Sequence, residues 1–298
     1  MALPALELLA RRGHSLMLAG RPWAADLFAA CPWPVLSLAR ERSPRIAALR
    51  AHTRPGTPAL LLTNSFGSAL DFRLARLRPA GYSTDLRRLL LSRAFPVPAR
   101  WRQADAPMHM VEYYYELARA FAGGEAPPVP PRLSLPLLPA AVERARAALR
   151  GAGLDGAYVM LCPVAIGLHQ GKVKAWDGFG ALCADLIGAG VQVAACPGPG
   201  ERDAVRAAVP GAKLLPETDV GTFGALLAGS RLVIANDSGS AHVAAAVGAP
   251  LITLFGVTDA RHTGPWSTNA VRLGAADRWP SFSEVAAAVR RQLAARQA

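Results

Sequence analysis

The sequence predicts an α/β fold built on doubly wound parallel sheets and divided into two halves. Three observations carry that prediction. Short apolar, β-branched runs alternate along the chain with alanine-rich segments of helical period, the pattern of parallel strands covered by helices. The stretch "RLVIANDSGSAHVAAAVGAPLITLF" (231–255) reads as one complete strand–turn–helix–strand unit. A single Pro/Gly-dense segment, "GGEAPPVPPRLSLPLLP" (123–139), lies near the middle of the 298 residues and reads as a linker. The expected domains are therefore 1–135 and 140–298.

Taken in order, the first half begins with a helix over 4–12. Pro4 stands in its first turn and Gly13 just past its end. Strand "SLMLAG" follows, then a helix near 23–31, strand "VLSLA", a helix near 43–52 and strand "ALLLTN". "SALDFRLARL" is expected as a helix, "GYST" comes next, and "MHMVEYYYELARAFA" is a second helix. The second half reads as helix 140–150, strand "AYVMLCP", helix 176–189, strand "VQVAACP", helix 201–208, the 231–255 unit and a last helix over 281–296. No internal repeat recurs at a fixed period.

Composition narrows the function classes. Hydrophobic residues make up 52% and charged residues 18%, which places the chain among folded globular proteins and away from disordered ones. No apolar run reaches the roughly 18 residues of a membrane span. The opening "MALPALELLARRGH" has its basic residues after the apolar ones, the reverse of a secretion signal. Cys31, Cys162, Cys183 and Cys196 show no paired spacing and read as buried thiols of a cytosolic protein.

The net charge of +12 is unevenly shared. Residues 1–150 hold 21 Arg, no Lys and 10 acidic residues, whereas residues 151–298 hold 9 Arg, 3 Lys and 11 acidic residues. Arginine makes flat, bidentate contacts with phosphate and carboxylate, so the first half is expected to meet an anionic partner. The arginines are scattered over many elements without aromatic interleaving, which argues against nucleic acid.

Several common motifs are absent. "GLHQGKV" (167–173) lacks the spacing and hydroxyl residue of a P-loop. "GPGERD" (198–203) has Asp203 where a dinucleotide fingerprint needs a small residue. There is no G-x-S-x-G, no His pair at ligand spacing and no D-x-D, so no metal and no cofactor is expected.

The turn in the 231–255 unit holds the most concentrated chemistry. Asp237, Ser238, Gly239 and His242 lie between the end of a strand and the start of a helix. Unpaired N–H groups and the positive end of the helix dipole converge there, a setting that suits an anion. Asp237 and Ser238 could equally be plain helix caps. A protonated His242 in the first helical turn would oppose the dipole, whereas a neutral imidazole donating to phosphate, or a cation compensated by one, fits.

Taken together, "KAW" (174–176), "PGPGERD" (197–203) and the turn through "FGVTDARHTGPW" resemble glycosyltransferase family 9, the heptosyltransferases. In the first half, "PALELLARRGHSLMLAGRPWAADLF", "LTNSFGSA" and "GYSTDLRRLLL" are similar to the same family, so the resemblance covers nearly the whole chain. It implies a GT-B fold, two Rossmann-like domains facing across a cleft, with acceptor bound by the N-terminal domain and nucleotide sugar by the C-terminal one.

The resemblance also implies roles. Asp237, Ser238, Gly239 and His242 would line the diphosphate of an ADP-heptose donor, and Glu201 would bind ribose hydroxyls, unless it is only a solvated helix start. Lys174, one of three lysines, would stabilise charge growing on the departing phosphate. Asn64, Ser65 and Arg21 would meet the acceptor, the anionic lipopolysaccharide inner core (Kdo-lipid A or its heptosylated form). The implied reaction is an inverting, metal-independent displacement. It would take place in the cytoplasm, peripherally at the inner face of the cytoplasmic membrane.

One departure bears on catalysis. In the family a strand and a Gly-Asp turn precede the segment like "PAL", and that aspartate is the general base. Met1 stands three residues before Pro4, so the base is expected outside the residues given, and two interior strands are expected either to show unpaired edges or to close up in a new register. The alternative expectation is a nucleotide-sugar-binding protein of the same fold with impaired catalysis.

Overall fold

The computed structural model describes residues 1–103, 105–165, 168–169 and 171–295. The segment tested as a P-loop includes Gly167 and Gln170, which lie outside the described residues, as does position 296 of the expected last helix. The chain forms two units, Met1–Pro130 and Pro131–Ala298.

The first unit opens with α1 (Leu3–Arg11), where Pro4 needs no N–H and Leu6 and Leu9 are buried one turn apart. It continues through β1 (Leu18–Gly20), α2 (Trp23–Leu27), β2 (Val35–Ser37), α3 (Arg42–His52), β3 (Pro58–Leu60) and α4 (Phe66–Leu74). Then come β4 (Arg78–Tyr82), a 3-10 helix (Asp85–Leu90), β5 (Arg93–Phe95), a second 3-10 turn (Ala99–Arg102) and α5 (Met110–Ala122). A reciprocal cap starts α5. The His109 Nδ1 accepts from the Val111 N–H at 3.1 Å, and the Glu112 carboxylate accepts from the His109 N–H at 2.9 Å. α1 packs on α5 through Ala5, Leu8 and Leu9 against Tyr115 and Ala118. Asp71 of α4, buried, accepts from Arg42 Nε at 2.8 Å and Arg45 Nη1 at 2.6 Å and so ties α4 to α3.

Among the described residues β1 pairs with β2, and β3–β4–β5 forms a separate ladder, all parallel. "GYST" turns out to begin inside β4, which runs back to Arg78. Arg78, Pro79 and Gly81 hide that strand from any apolar pattern, although Pro79 to Tyr82 are buried.

The second unit follows the doubly wound order. Its elements are α6 (Pro139–Gly151), β6 (Tyr158–Cys162), a small hairpin of β7 (Leu168–His169) and β8 (Lys172–Val173), α7 (Phe179–Gly188) and β9 (Gln192–Ala195). Next are α8 (Arg202–Ala208), β10 (Lys213–Leu214), α9 (Val220–Ala228), β11 (Leu232–Asn236), α10 (Gly239–Ala246) and β12 (Leu251–Phe255). α11 (Ala260–Thr263), β13 (Ala270–Gly274) and α12 (Phe282–Ala294) complete it. Six strands make one parallel sheet in the order β10-β9-β6-β11-β12-β13. Successive strand residues alternate between two cores. Val159, Leu161 and Ile234 pack under α7 and α12, while Met160, Val233 and Ala235 pack under α9 and α10. Every residue of β6, β11 and β12 is buried.

Two expectations shift here. The helix expected from 176 starts at Phe179, and the Trp176 N–H before it donates to the Asn236 side chain. The linker is not free throughout: Leu133 and Leu135 are buried, and the Leu135 N–H donates to Ala246 O at 2.8 Å.

Candidate functional site

β6 and β11 are neighbours, but the chain leaves β6 toward β9 and leaves β11 toward β12. The sheet order therefore reverses between them, and the crevice at their carboxyl ends is where open α/β sheets take ligands. The residues singled out in the second unit all follow the carboxyl ends of strands in this part of the sheet. Asp237 follows β11, Glu201 comes after β9, and Lys174 lies beyond β6 and its hairpin.

The turn after β11 is built by a buried asparagine. Asn236 Nδ2 donates to Pro163 O at 2.6 Å, beyond the end of β6, and its Oδ1 accepts from the Trp176 N–H at 3.0 Å. The Trp176 indole N–H donates to Pro280 O at 2.8 Å, and its ring stands edge-on to Phe179. Lys174, two residues before this anchor, is thereby held beside the turn: its Nζ donates to Asp237 O at 3.1 Å.

The plain helix-cap alternative fails. Ser238 occupies the N-cap of α10 with extended backbone, yet no side chain caps that helix. The buried Asp237 carboxylate instead accepts from Thr258 Oγ1 at 2.6 Å and faces His242 Nε2 at 4.0 Å. Ser238 Oγ is buried with no hydrogen-bond partner among the described residues. A Cβ built on Gly239 would meet nothing within 4 Å, so space lies open above the first N–H groups of α10. Uncapped N–H groups, an unpartnered hydroxyl, an imidazole and an ammonium thus share one turn. That set suits a phosphate group.

Glu201 is the N-cap residue of α8, but its carboxylate turns back to accept the Gly198 N–H at 3.0 Å. A Cβ at Gly198 would come 2.9 Å from that carboxylate, so a larger residue there would displace the Glu201 side chain from this bond. Among the described residues no three His, Cys, Asp or Glu side chains are grouped to hold a metal ion.

In the first unit, Arg21 follows the carboxyl end of β1 and is exposed, and Asn64 and Ser65 follow β3. Asn64 Nδ2 donates to Tyr113 Oη at 2.8 Å, and Ser65 Oγ accepts from the Ser68 N–H at 3.2 Å as the cap of α4. Sequence reasoning missed Arg87, whose side chain is buried within the 3-10 helix. Its Nη1 donates to Thr63 O at 2.6 Å and to Asn64 Oδ1 at 3.2 Å, fixing the loop that carries Asn64. Burial holds its guanidinium below the usual arginine range. Asn236 and Thr258 were missed as well. Both stood inside motifs that were noticed, but their partners lie far away in sequence.

Comparison with known proteins identifies a family and a fold. The model of glycosyltransferase family 9 (heptosyltransferase) matches residues 52–290. Lipopolysaccharide heptosyltransferase 3 of Escherichia coli is 37% identical over 149 residues, 47% of this chain and 43% of that protein. The match thus spans less than half the length of that relative. The solved structure of E. coli heptosyltransferase WaaC with ADP aligns with a TM-score of 0.75 at 20% identity, over 98% of this chain and 95% of that one. E. coli ADP-heptose lps heptosyltransferase II aligns with a TM-score of 0.74 at 22% identity, over 100% and 95%. At such identity these structures establish the fold, GT-B.

Proposed function

The chain belongs to glycosyltransferase family 9, and from that premise we propose that it transfers heptose from ADP-heptose to the inner core of lipopolysaccharide. The observation that carries the donor half of this reading is the contact of Lys174 Nζ with the turn at Asp237, at the switch point of the second unit's sheet. The solved relatives named for ADP and for ADP-heptose support the same donor.

In this reading the acceptor hydroxyl, its proton passing to a general base, attacks the anomeric carbon of the heptose while the bond from that carbon to the β-phosphate oxygen of ADP breaks, inverting the centre. Negative charge grows on that phosphate as the bond lengthens. Lys174 and the N-terminus of α10 meet this charge, so they favour the transition state over the bound donor. Ser238 Oγ and the His242 imidazole donate to the diphosphate oxygens. Asp237, bonded to Thr258, orients His242. Glu201 holds ribose hydroxyls. Asn64, Ser65 and Arg21 of the first unit receive the anionic acceptor, where arginine's fork suits phosphate and carboxylate alike. No helix among the described residues is long and apolar enough to cross a membrane. We place the enzyme in the cytoplasm, working peripherally at the membrane that carries its acceptor.

Calorimetry on the full chain tests the donor site. ADP should bind, and Lys174→Ala or His242→Ala should each weaken binding at least about tenfold, about 1.4 kcal/mol. Unchanged affinity in both variants would sink the assignment.

A further inference from the structure

The 3-10 helix Asp85–Leu90 carries the two most exposed large apolar side chains among the described residues, Leu86 at 73% and Leu89 at 84%. A 3-10 helix has three residues per turn, so side chains at i and i+3 stand one above the other. Leu86 and Leu89 therefore form a single outward edge. The residue after Leu86 points the opposite way: Arg87 is buried and bonded to Thr63 O and Asn64 Oδ1. The leucines are thus held outward by an inward anchor.

Three further observations bear on what they meet. Asp85, which starts the helix, has φ of +49°, a left-handed conformation that a non-glycine residue keeps only when its surroundings impose it. Arg88, exposed, stands between the leucines in sequence, whereas Arg93 is turned to the end of α5, donating to Phe121 O at 2.8 Å and Ala120 O at 3.2 Å. α4, which packs on this helix, adds exposed Phe66 and Arg73. The helix follows β4 directly, at the strand-end side of the first unit that also carries Arg21, Asn64 and Ser65.

We propose that the Leu86–Leu89 edge is a membrane-docking element that enters the surface of an anionic lipid bilayer, with Arg73 and Arg88 meeting the headgroup phosphates. Apolar tips in a basic rim are the composition that binds anionic bilayers in the interface plane. Charge complementarity selects this partner, since residues 1–130 carry 17 Arg against 9 acidic residues. The inference deepens the peripheral-membrane part of the proposed function and rests on it for the choice of partner.

The test uses the full chain and vesicles of phosphatidylcholine with phosphatidylglycerol, free of lipopolysaccharide. Sedimentation should show binding that is lost on pure phosphatidylcholine and weakened at least about tenfold in the Leu86→Ser/Leu89→Ser variant. Its ADP affinity should stay at the wild-type value, which separates this proposal from the donor-site reading. A tryptophan replacing Leu89 should shift its emission to the blue on these vesicles and be quenched by brominated lipid. Wild-type binding by the double serine variant, or a Leu89→Trp emission that does not change with lipid, would overturn the proposal. So would a wild-type dimer that the serine variant dissolves while vesicle binding stays the same, since the edge would then join two copies of the chain.

Discussion

The two units use the same parallel βα architecture with very different strands. In the second unit, β6, β11 and β12 are five residues long, rich in Val, Ile and Leu, and buried on both faces of one six-stranded sheet. In the first unit, β1, β2 and β3 are three residues long, part-exposed, and split between two ladders with open edges. The apolar content lost from those strands is matched by a gain in arginine. One unit concentrates packing around a single crevice, while the other spreads cations over many short elements. The difference teaches that the second unit offers rigid, fully packed strand ends and the first many exposed cations on lightly packed elements.

The sharpest way to break this comparison is to delete volume at matched strands. Ile234→Ala in β11 should cost about 2–5 kcal/mol in urea unfolding, whereas Leu18→Ala in half-exposed β1 should cost less than about 1 kcal/mol. Equal costs would show that the divided ladders are as well packed as the continuous sheet. Asn236→Ala comes next, because it leaves the Trp176 N–H and Pro163 C=O without partners. A loss of about 1–3 kcal/mol is expected, along with weaker ADP binding, since Lys174 loses its anchor. Intact ADP affinity in that variant would separate the cradle from its support.

High pH probes the second unit more gently. Burial raises the Cys162 thiol from 9.0 to about 12, and burial raises Cys196 to about 11. Both folded values lie above the unfolded one. Below about pH 9 the thiols are protonated in both states and cost nothing. As pH rises through 9 toward 11, the unfolded chain ionises first and stability falls by roughly 1 kcal/mol per thiol at pH 10. Melting temperatures at about pH 8 and pH 10, compared with a Cys162→Ala/Cys196→Ala variant, measure this, and a loss that persists in the variant would assign it elsewhere. A modest effect is expected in the first unit as well. Asp71→Ala breaks two ion pairs, but Arg42 is 57% exposed and Arg45 24%, so both can rehydrate and the cost should be about 1–2 kcal/mol.

How much could be read in advance follows the same divide. β11 and β12 were plain as short apolar runs, and the turn between β11 and α10 stood out by its polar cluster. β4 was not, because Pro79 and Gly81 carry no strand signal and its burial comes from neighbours far along the chain. β10, at two residues, and β13, with Arg272 at its centre, are below what periodicity can resolve. α9 hid behind two glycines, although Asp219 caps it at Thr222. At the site, Lys174 was visible only through the family resemblance of "KAW", and His242 through its place in the helix. Asn236 and Thr258 were not legible, since their bonds join residues 73 and 21 positions apart. Composition also pointed to Asp237 and Ser238 as caps, and only the folded chain shows their side chains bonded elsewhere or left unpartnered.

The two bonds of Asn236 have a kinetic meaning as well. They join the segments at Pro163, Trp176 and Asp237 into one assembly before any donor arrives. Ordering a single residue's backbone costs about 1–2 kcal/mol of entropy, and here folding has already met that cost for all three segments. Donor capture should therefore proceed without a slow rearrangement, its on-rate set by encounter and its residence time by the contacts broken on leaving.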